Sequence, residues 1–173
     1  VGVTGSAATA QRGKFVVNYG DSSAVSGALS ADGHGYGEIT TLGSYQPNAL
    51  ITAGCIMTFS TGSTWHPAIG DKSRGGFSMS VSSSLLGVAM GTHITDGILL
   101  KGFVKVLNTE ISDAKPGQPC YLGTHSTGRP STEDEVSGTL TATGDVVRIV
   151  GHILDPANGI IHFNPDNTWV EIA

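Results

Sequence analysis

Charge is what this 173-residue chain has least of: Asp, Glu, Lys and Arg together make up 13% of it, and the formal net charge is −5. That share is about half the usual one for a globular domain. The acidic balance argues against a nucleic-acid partner, which would require a basic face. Cysteine is scarce too. Cys55 and Cys120 stand 65 residues apart, with no CxxC and no Cys/His zinc spacing. A disulfide between them is one reading; two buried thiols in a protein assembled in a reducing cytoplasm is the preferred one. No apolar run reaches the roughly 18 residues a membrane-spanning helix requires, so no membrane partner is expected. The N-terminus lacks the charged and apolar regions of a signal peptide. It also lacks methionine, which points to a processed or trimmed chain. Helical periodicity is absent: no window places apolar residues on one face of a helix.

Glycine, in contrast, is abundant. Its 25 residues are about twice the usual share, and serine and threonine fill many of the polar positions. The chain is not compositionally disordered, because apolar residues make up 39% of it and sit in ordered runs. A low-charge surface rich in Gly, Ser and Thr suits a protein that packs against copies of itself or a partner. A turn-rich β fold accounts for the glycine equally well.

The order of those runs repeats. "LLGVAMGTHITDGILLKGFVKV" (85–106) and "VVRIVGHILDPANGIIHFNPDNTWVEI" (146–172) each carry an apolar run around a glycine, Gly87 or Gly151. A short polar link then closes on Gly97 or Gly159, before Ile98-Leu99-Leu100 or Ile160-Ile161. The resemblance extends upstream, where "AGCIMTFSTGSTW" (53–65) lies over "PGQPCYLGTHSTGRP" (116–130), with Gly54 on Gly117 and Met57 near Cys120. Two copies are too few for a solenoid, whose units stack in threes or more. A pseudo-symmetric sheet or barrel is expected, with copies at about 50–107 and 114–172 inside a β domain spanning 46–173. Gly87 and Gly151 should occupy equivalent places where backbones approach or a strand bends.

Residues 1–45 form an N-terminal arm and first strands. "VGVTGSAATAQRG" is small and polar without a period, and "KFVVNYG" is a strand candidate. The Asp32-Gly33 dipeptide signals a hairpin, and "EITTL" (38–42) reads as a second short strand. Further strands are expected near 50–60, 85–91, 97–107, 118–123, 145–154, 159–163 and 168–172. In the fifth of these, Val147, Ile149, Gly151 and Ile153 should share one face, with Arg148 and His152 on the other. Segments 66–84 and 124–144 read as long polar loops. The fold class is all-β: seven to nine short antiparallel strands in a barrel or sandwich with a duplicated core and an extended arm.

No motif supplies a complete active site. "YGDSS" resembles the opening block of the GDSL esterases, but the Asp-x-x-His partner stretch and the helices are missing. Gly5 to Phe15 fails as a phosphate loop, with seven residues between its glycines and Phe15 where Ser or Thr should hold magnesium. None of the six histidines falls in an HxH or HxxxH pair, although His152 and His162 could meet across a hairpin. His93 is expected to bond locally to Asp96. Trp65 follows a turn and should be exposed, able to stack on a sugar ring; Trp169 should lie in the core or an interface. No catalytic residue, cofactor or metal is assigned.

"LLGVAMG" with "DGILLKGFVKV", "GQPCYLGT", "GDVVRIVGHILD" and "IIHFNPDNTWVEI" together resemble a recurrent domain of structural proteins from tailed bacteriophages, especially those infecting cyanobacteria. The resemblance implies a virion component without catalytic residues, either a capsid decoration (cement) protein or part of a tail fibre. Decoration proteins are small β-rich trimers that bridge capsomers, and their attachment stabilises the shell by mass action. Some extend an arm that adds a strand to a capsid sheet edge. The resulting expectation is a homotrimer on the capsid surface, bound to the major capsid protein through Lys14, Phe15, Val16, Val17, Asn18 and Tyr19. The alternative is a tail-fibre or receptor-binding domain recognising a host glycan.

Overall fold

The computed structural model describes residues 35–47, 49–71, 84–107, 110–124, 127–166 and 168–173. The candidate arm residues Lys14 to Tyr19, the Gly20-Asp21-Ser22 block and the Asp32-Gly33 signal lie outside them. Eleven strands form one large mixed sheet that is not closed. The fold is therefore all-β and sandwich-like, and the barrel alternative falls.

The first strands are β1 (Gly35–Thr40), β2 (Ser44–Tyr45), β3 (Ile56–Ser60), β4 (Thr64–Pro67), β5 (Leu86–Ala89) and β6 (Ile98–Lys105). The remainder are β7 (Pro119–Leu122), β8 (Pro130–Ser131), β9 (Val146–Asp155), β10 (Ile160–Phe163) and β11 (Trp169–Glu171). Among the described residues every strand pairing is antiparallel except that of β2 with β4.

The connectivity repeats. Strand β3 pairs with β4 and β5, and β5 with β6; β7 pairs with β8 and β9, and β9 with β10. The two sets join where β6 meets β10. Matching glycines hold matching places. Gly54 and Gly117 have φ of 86° and 88°, and their N–H groups donate to Ala89 O and Ile153 O at 2.8 and 2.7 Å. Gly87 opposes Met57, and Gly151 opposes Cys120. In both copies the link closes on a glycine of positive φ, 95° at Gly97 and 69° at Gly159, a region that L side chains avoid.

Strand β1 runs along β6 from Ile98 to Val104. A strand has only two edges, so β5 at Ile98–Leu99 and β10 at Gly102–Lys105 succeed one another along the other edge. This makes β6 a shared corner between the halves. Where β1 crosses it, Gly37 faces Gly102. A Cβ at Gly102 would stand 2.1 Å from Tyr36 O and 2.8 Å from the Gly37 Cα, so two backbones touch with no room for a side chain.

Both sides of the first half are covered. Ile56, Leu86, Val88, Leu99 and Val104 join Cys120, Val150, Ile153, Ile161 and Phe163 in a central cluster drawn from both copies. Met57, Trp65, Ala89 and Ile98 form a second cluster with Ile51 and Cys55. Trp65 is 1% exposed, and its indole N–H donates to Leu42 O at 2.8 Å. Its expected exposure is thus overturned by the 42–51 segment, which lies over it. Trp169, at 37% exposed, lies outside the core, which leaves the interface half of its expectation.

Three further expectations change. The segment following Trp65 is not wholly loop, since β4 continues to Pro67. Within 124–144 a two-turn helix, α1 (Glu133–Thr139), occurs. Only Val136 in it is buried, so no apolar period reveals it; Glu133, Asp134 and Glu135 in its first turn complement the positive end of the helix dipole. In β9 the expected face is split. Val146, Arg148 and Val150 are buried, whereas Ile149 is exposed. Cys120 pairs with Gly151, but the next residue, Tyr121, pairs with Ile149. The bulge at Val150 and Gly151 moves the alternation by one residue, bringing Ile153 inward and His152 outward.

Arg148 is 3% exposed, and its guanidinium donates to Ser84 O at 2.7 Å and Asp166 O at 3.1 Å. Burial lowers its pKa from the usual arginine value, partly opposed by the nearby Asp166 carboxylate. The side chain ties β9 to the segments entering β5 and β11.

Candidate functional site

Among the described residues, no group of three or more His, Cys, Asp or Glu side chains could hold a metal ion. The two thiols are free and buried. Desolvation raises each to about 12, opposed at Cys55 by Arg129 and at Cys120 by a backbone hydrogen bond from Ser131. A thiolate is the nucleophilic form, so neither side chain is prepared for chemistry at neutral pH.

Among the described residues, two polar arrangements and one largely apolar surface remain. The first joins β2 to the β3–β4 hairpin: His66 Nδ1 lies 2.8 Å from Gln46 Oε1, and its Nε2 lies 2.8 Å from Ser60 Oγ. The atoms resemble a nucleophile, base and orienter. However, Ser60 is 8% exposed, and its hydroxyl also reaches Thr64 O at 3.0 Å and Thr61 O at 3.2 Å. Those carbonyls can only accept, so they compete for the single serine proton that a general base would take. The arrangement works as a tether, holding the two-residue β2 and the hairpin turn together.

The second is a concavity of about 720 Å³ whose lining includes Glu110, Asp113, Lys115, Glu133, Asp134 and Glu135. Its carboxylates make structural contacts: Glu110 lies 3.8 Å from Arg129 Nη1, and Ser131 Oγ donates to Glu135 Oε2 at 2.5 Å. These tie the β7–β8 turn and α1 to the sheet. His93, expected to bond locally, does so: its backbone N–H donates to Asp96 Oδ2 at 3.0 Å.

The third is the outer face of the sheet. Directly opposed residues on paired strands point to the same side. The register therefore sets Phe103, His162, His152 and Pro119 in one row across β6, β10, β9 and β7, with the buried Tyr36 of β1 at its end. The Phe103 and His162 rings are 5.0 Å apart at 40°. Tyr121 pairs with Ile149, and Val147 with Val170, extending the row into an apolar field. In it Ile149 is 39%, Leu154 41% and Val170 60% exposed. The sequence reading missed this surface because it placed Val147 and Ile149 on one face with Gly151 and Ile153 and set His152 on the other; the clue was Gly151 itself, since glycine within a strand pattern marks bulges.

The chain matches no protein-family model, no curated protein and no solved structure.

Proposed function

We propose that the chain is a structural virion protein, a decoration protein that seats on the outer face of a bacteriophage capsid and bridges neighbouring capsomers. The observation that carries this reading is the apolar field beside the His–Phe row, in which exposed Ile149 and Val170 pair with half-buried Tyr121 and Val147. Contiguous apolar surface of this kind marks contact with another protein, and the chain's low overall charge content keeps the desolvation cost of such contacts down. The residues that resemble phage structural proteins include β6, β9, β10 and β11, the strands that present or adjoin this field. In this reading the major capsid protein is the partner, the assembly is a homotrimer on the capsid surface, and the arm residues Lys14 to Tyr19 add a second attachment.

Trp65, the side chain suggested for stacking on a sugar, is buried, so it offers no platform for the glycan recognition of the tail-fibre alternative.

The test is cosedimentation of the purified protein with capsid shells lacking it. Wild-type protein should bind near parity with the major capsid protein. Removal of residues 1–20, or the pair Ile149→Asp and Val170→Asp, should abolish binding while the circular dichroism of the β domain persists. Normal decoration by both variants, or saturable binding of a host polysaccharide instead of shells, refutes the proposal.

A further inference from the structure

The β9–β10 hairpin brings together two side chains that lie ten positions apart. His162 is the direct cross-strand partner of His152. Side chains so paired project from the same face, with Cβ atoms about 4.5–5.5 Å apart. That spacing lets two imidazoles converge on one ion at metal–nitrogen distances of about 2.0–2.1 Å. His152 is exposed and His162 half-buried, so an ion can reach both from solvent. The bulge matters here. Without the phase change at Val150 and Gly151, His152 would not share the exposed face with His162 while Val146, Arg148 and Val150 stay inside.

The surroundings favour order at the pair. The Phe103 ring beside His162 limits where that imidazole can turn. Pro119 flanks His152 from β7. The nearest turn carboxylate, Asp155, accepts from the Asn158 backbone N–H at 3.2 Å and from its side-chain amide at 2.8 Å. It is thus occupied in closing the hairpin. The same hairpin turn fixes the register that keeps the two histidines opposed.

From this geometry we propose that His152 and His162 form a two-nitrogen site for a borderline divalent transition cation of the Zn2+ or Cu2+ class. Imidazole suits these ions, with Cu2+ the tighter by the general order of divalent affinities. Two protein ligands leave the remaining coordination positions open to water or to a donor from another chain. The site goes beyond the decoration reading and stands or falls without it, since it needs only the hairpin.

The test is titration of the untagged full chain with Cu2+ and with Zn2+, followed by calorimetry and, for Cu2+, electron paramagnetic resonance. Wild-type protein should bind one ion per chain with two coordinated nitrogens. His152→Ala should weaken binding by about tenfold or more, roughly 1.4 kcal/mol or more. His162→Ala should do the same, and the double variant should be no worse than either, because losing one imidazole already destroys the chelate. His66→Gln and His93→Gln should bind as wild type. A His152→Ala protein with an unchanged melting curve and undiminished affinity overturns the assignment, as does a wild-type chain that binds neither ion.

Discussion

Gly151→Ala puts a single methyl where the β9–β10 contact leaves no space for one. Its Cβ would lie 2.0 Å from His162 O, 2.9 Å from the same carbonyl carbon and 3.1 Å from the Phe163 Cα. All three are backbone atoms of β10, which cannot rotate away as a side chain would. The partners in register, Cys120 and Phe163, are each 0% exposed, so the strand has no void to retreat into. Overpacking of a core costs about 1–3 kcal/mol, and backbone on the receiving side puts this case at the upper end. About 3 kcal/mol is a substantial part of the roughly 5–15 kcal/mol that holds a domain together. At about 2–4 °C per kcal/mol for a chain of this size, Tm should fall by roughly 6–12 °C.

The assay is thermal unfolding followed by circular dichroism, with two companions. Gly87→Ala meets Ile98 Cγ2 at 2.2 Å, a side-chain atom, and backbone only at 3.2 Å; its loss should be real but smaller. Gly138→Ala meets nothing within 4 Å inside α1. Alanine is the better helix former there by about 0.8–1.0 kcal/mol, so Tm should hold or rise. A Gly151→Ala protein that melts with the wild type would refute the reasoning, because β9 and β10 could not then be in backbone contact at that point.

Two other outcomes follow from titratable groups that partial or full burial perturbs. Burial lowers the pKa of His66 below the ordinary 6.5, so the unfolded chain binds a proton there more readily than the folded one. Its contribution to stability is therefore present above pH 6.5 and lost as pH falls through the lowered folded value; His66→Gln should flatten that part of a urea-denaturation pH profile, and an unaltered slope would remove the desolvation argument. Cys55 and Cys120, raised to about 12, should resist a thiol reagent at pH 8 in the native protein and react fully in urea. Rapid native labelling of either would contradict its burial.

Much of the scaffold was legible in the sequence because its turns carry glycines with distinct jobs. Gly54 and Gly117, or Gly97 and Gly159, could be aligned from the chain alone, and each pair shares positive φ. The positions of β5, β6, β7, β9, β10 and β11 followed from β-branched runs between those turns, whereas the two-residue β8 fell within the expected loop 124–144. The facing of β9 did not, since strict alternation fails wherever a bulge inserts a residue, and two register shifts interrupt this strand, one opposite β7 and one opposite β10. Trp65 misled for a different reason. Its cover comes from Leu42 and Ile51, and no local pattern around a turn reports what a distant segment will lay over it. The His152–His162 pairing was legible as a hairpin option, while its exposure depended on the bulge.

The duplicated connectivity explains why the second copy should not fold as an independent unit. Gly128, in the β7–β8 turn, accepts from Ile56 N at 2.7 Å and donates to Ala68 O at 2.6 Å, bridging strands of the first copy. Gly70, after β4, donates to Gly123 O at 2.8 Å and accepts from Val146 N at 2.9 Å, bridging strands of the second. Each copy thus satisfies backbone groups of the other, and the central cluster takes side chains from both. Separated, either copy would expose the free edge of β6 or β10 and half of that cluster, and open edges of this kind invite aggregation. A change at Gly151 therefore acts on the whole chain. Its expected signature is one cooperative transition at lower temperature, not the melting of the second copy ahead of the first.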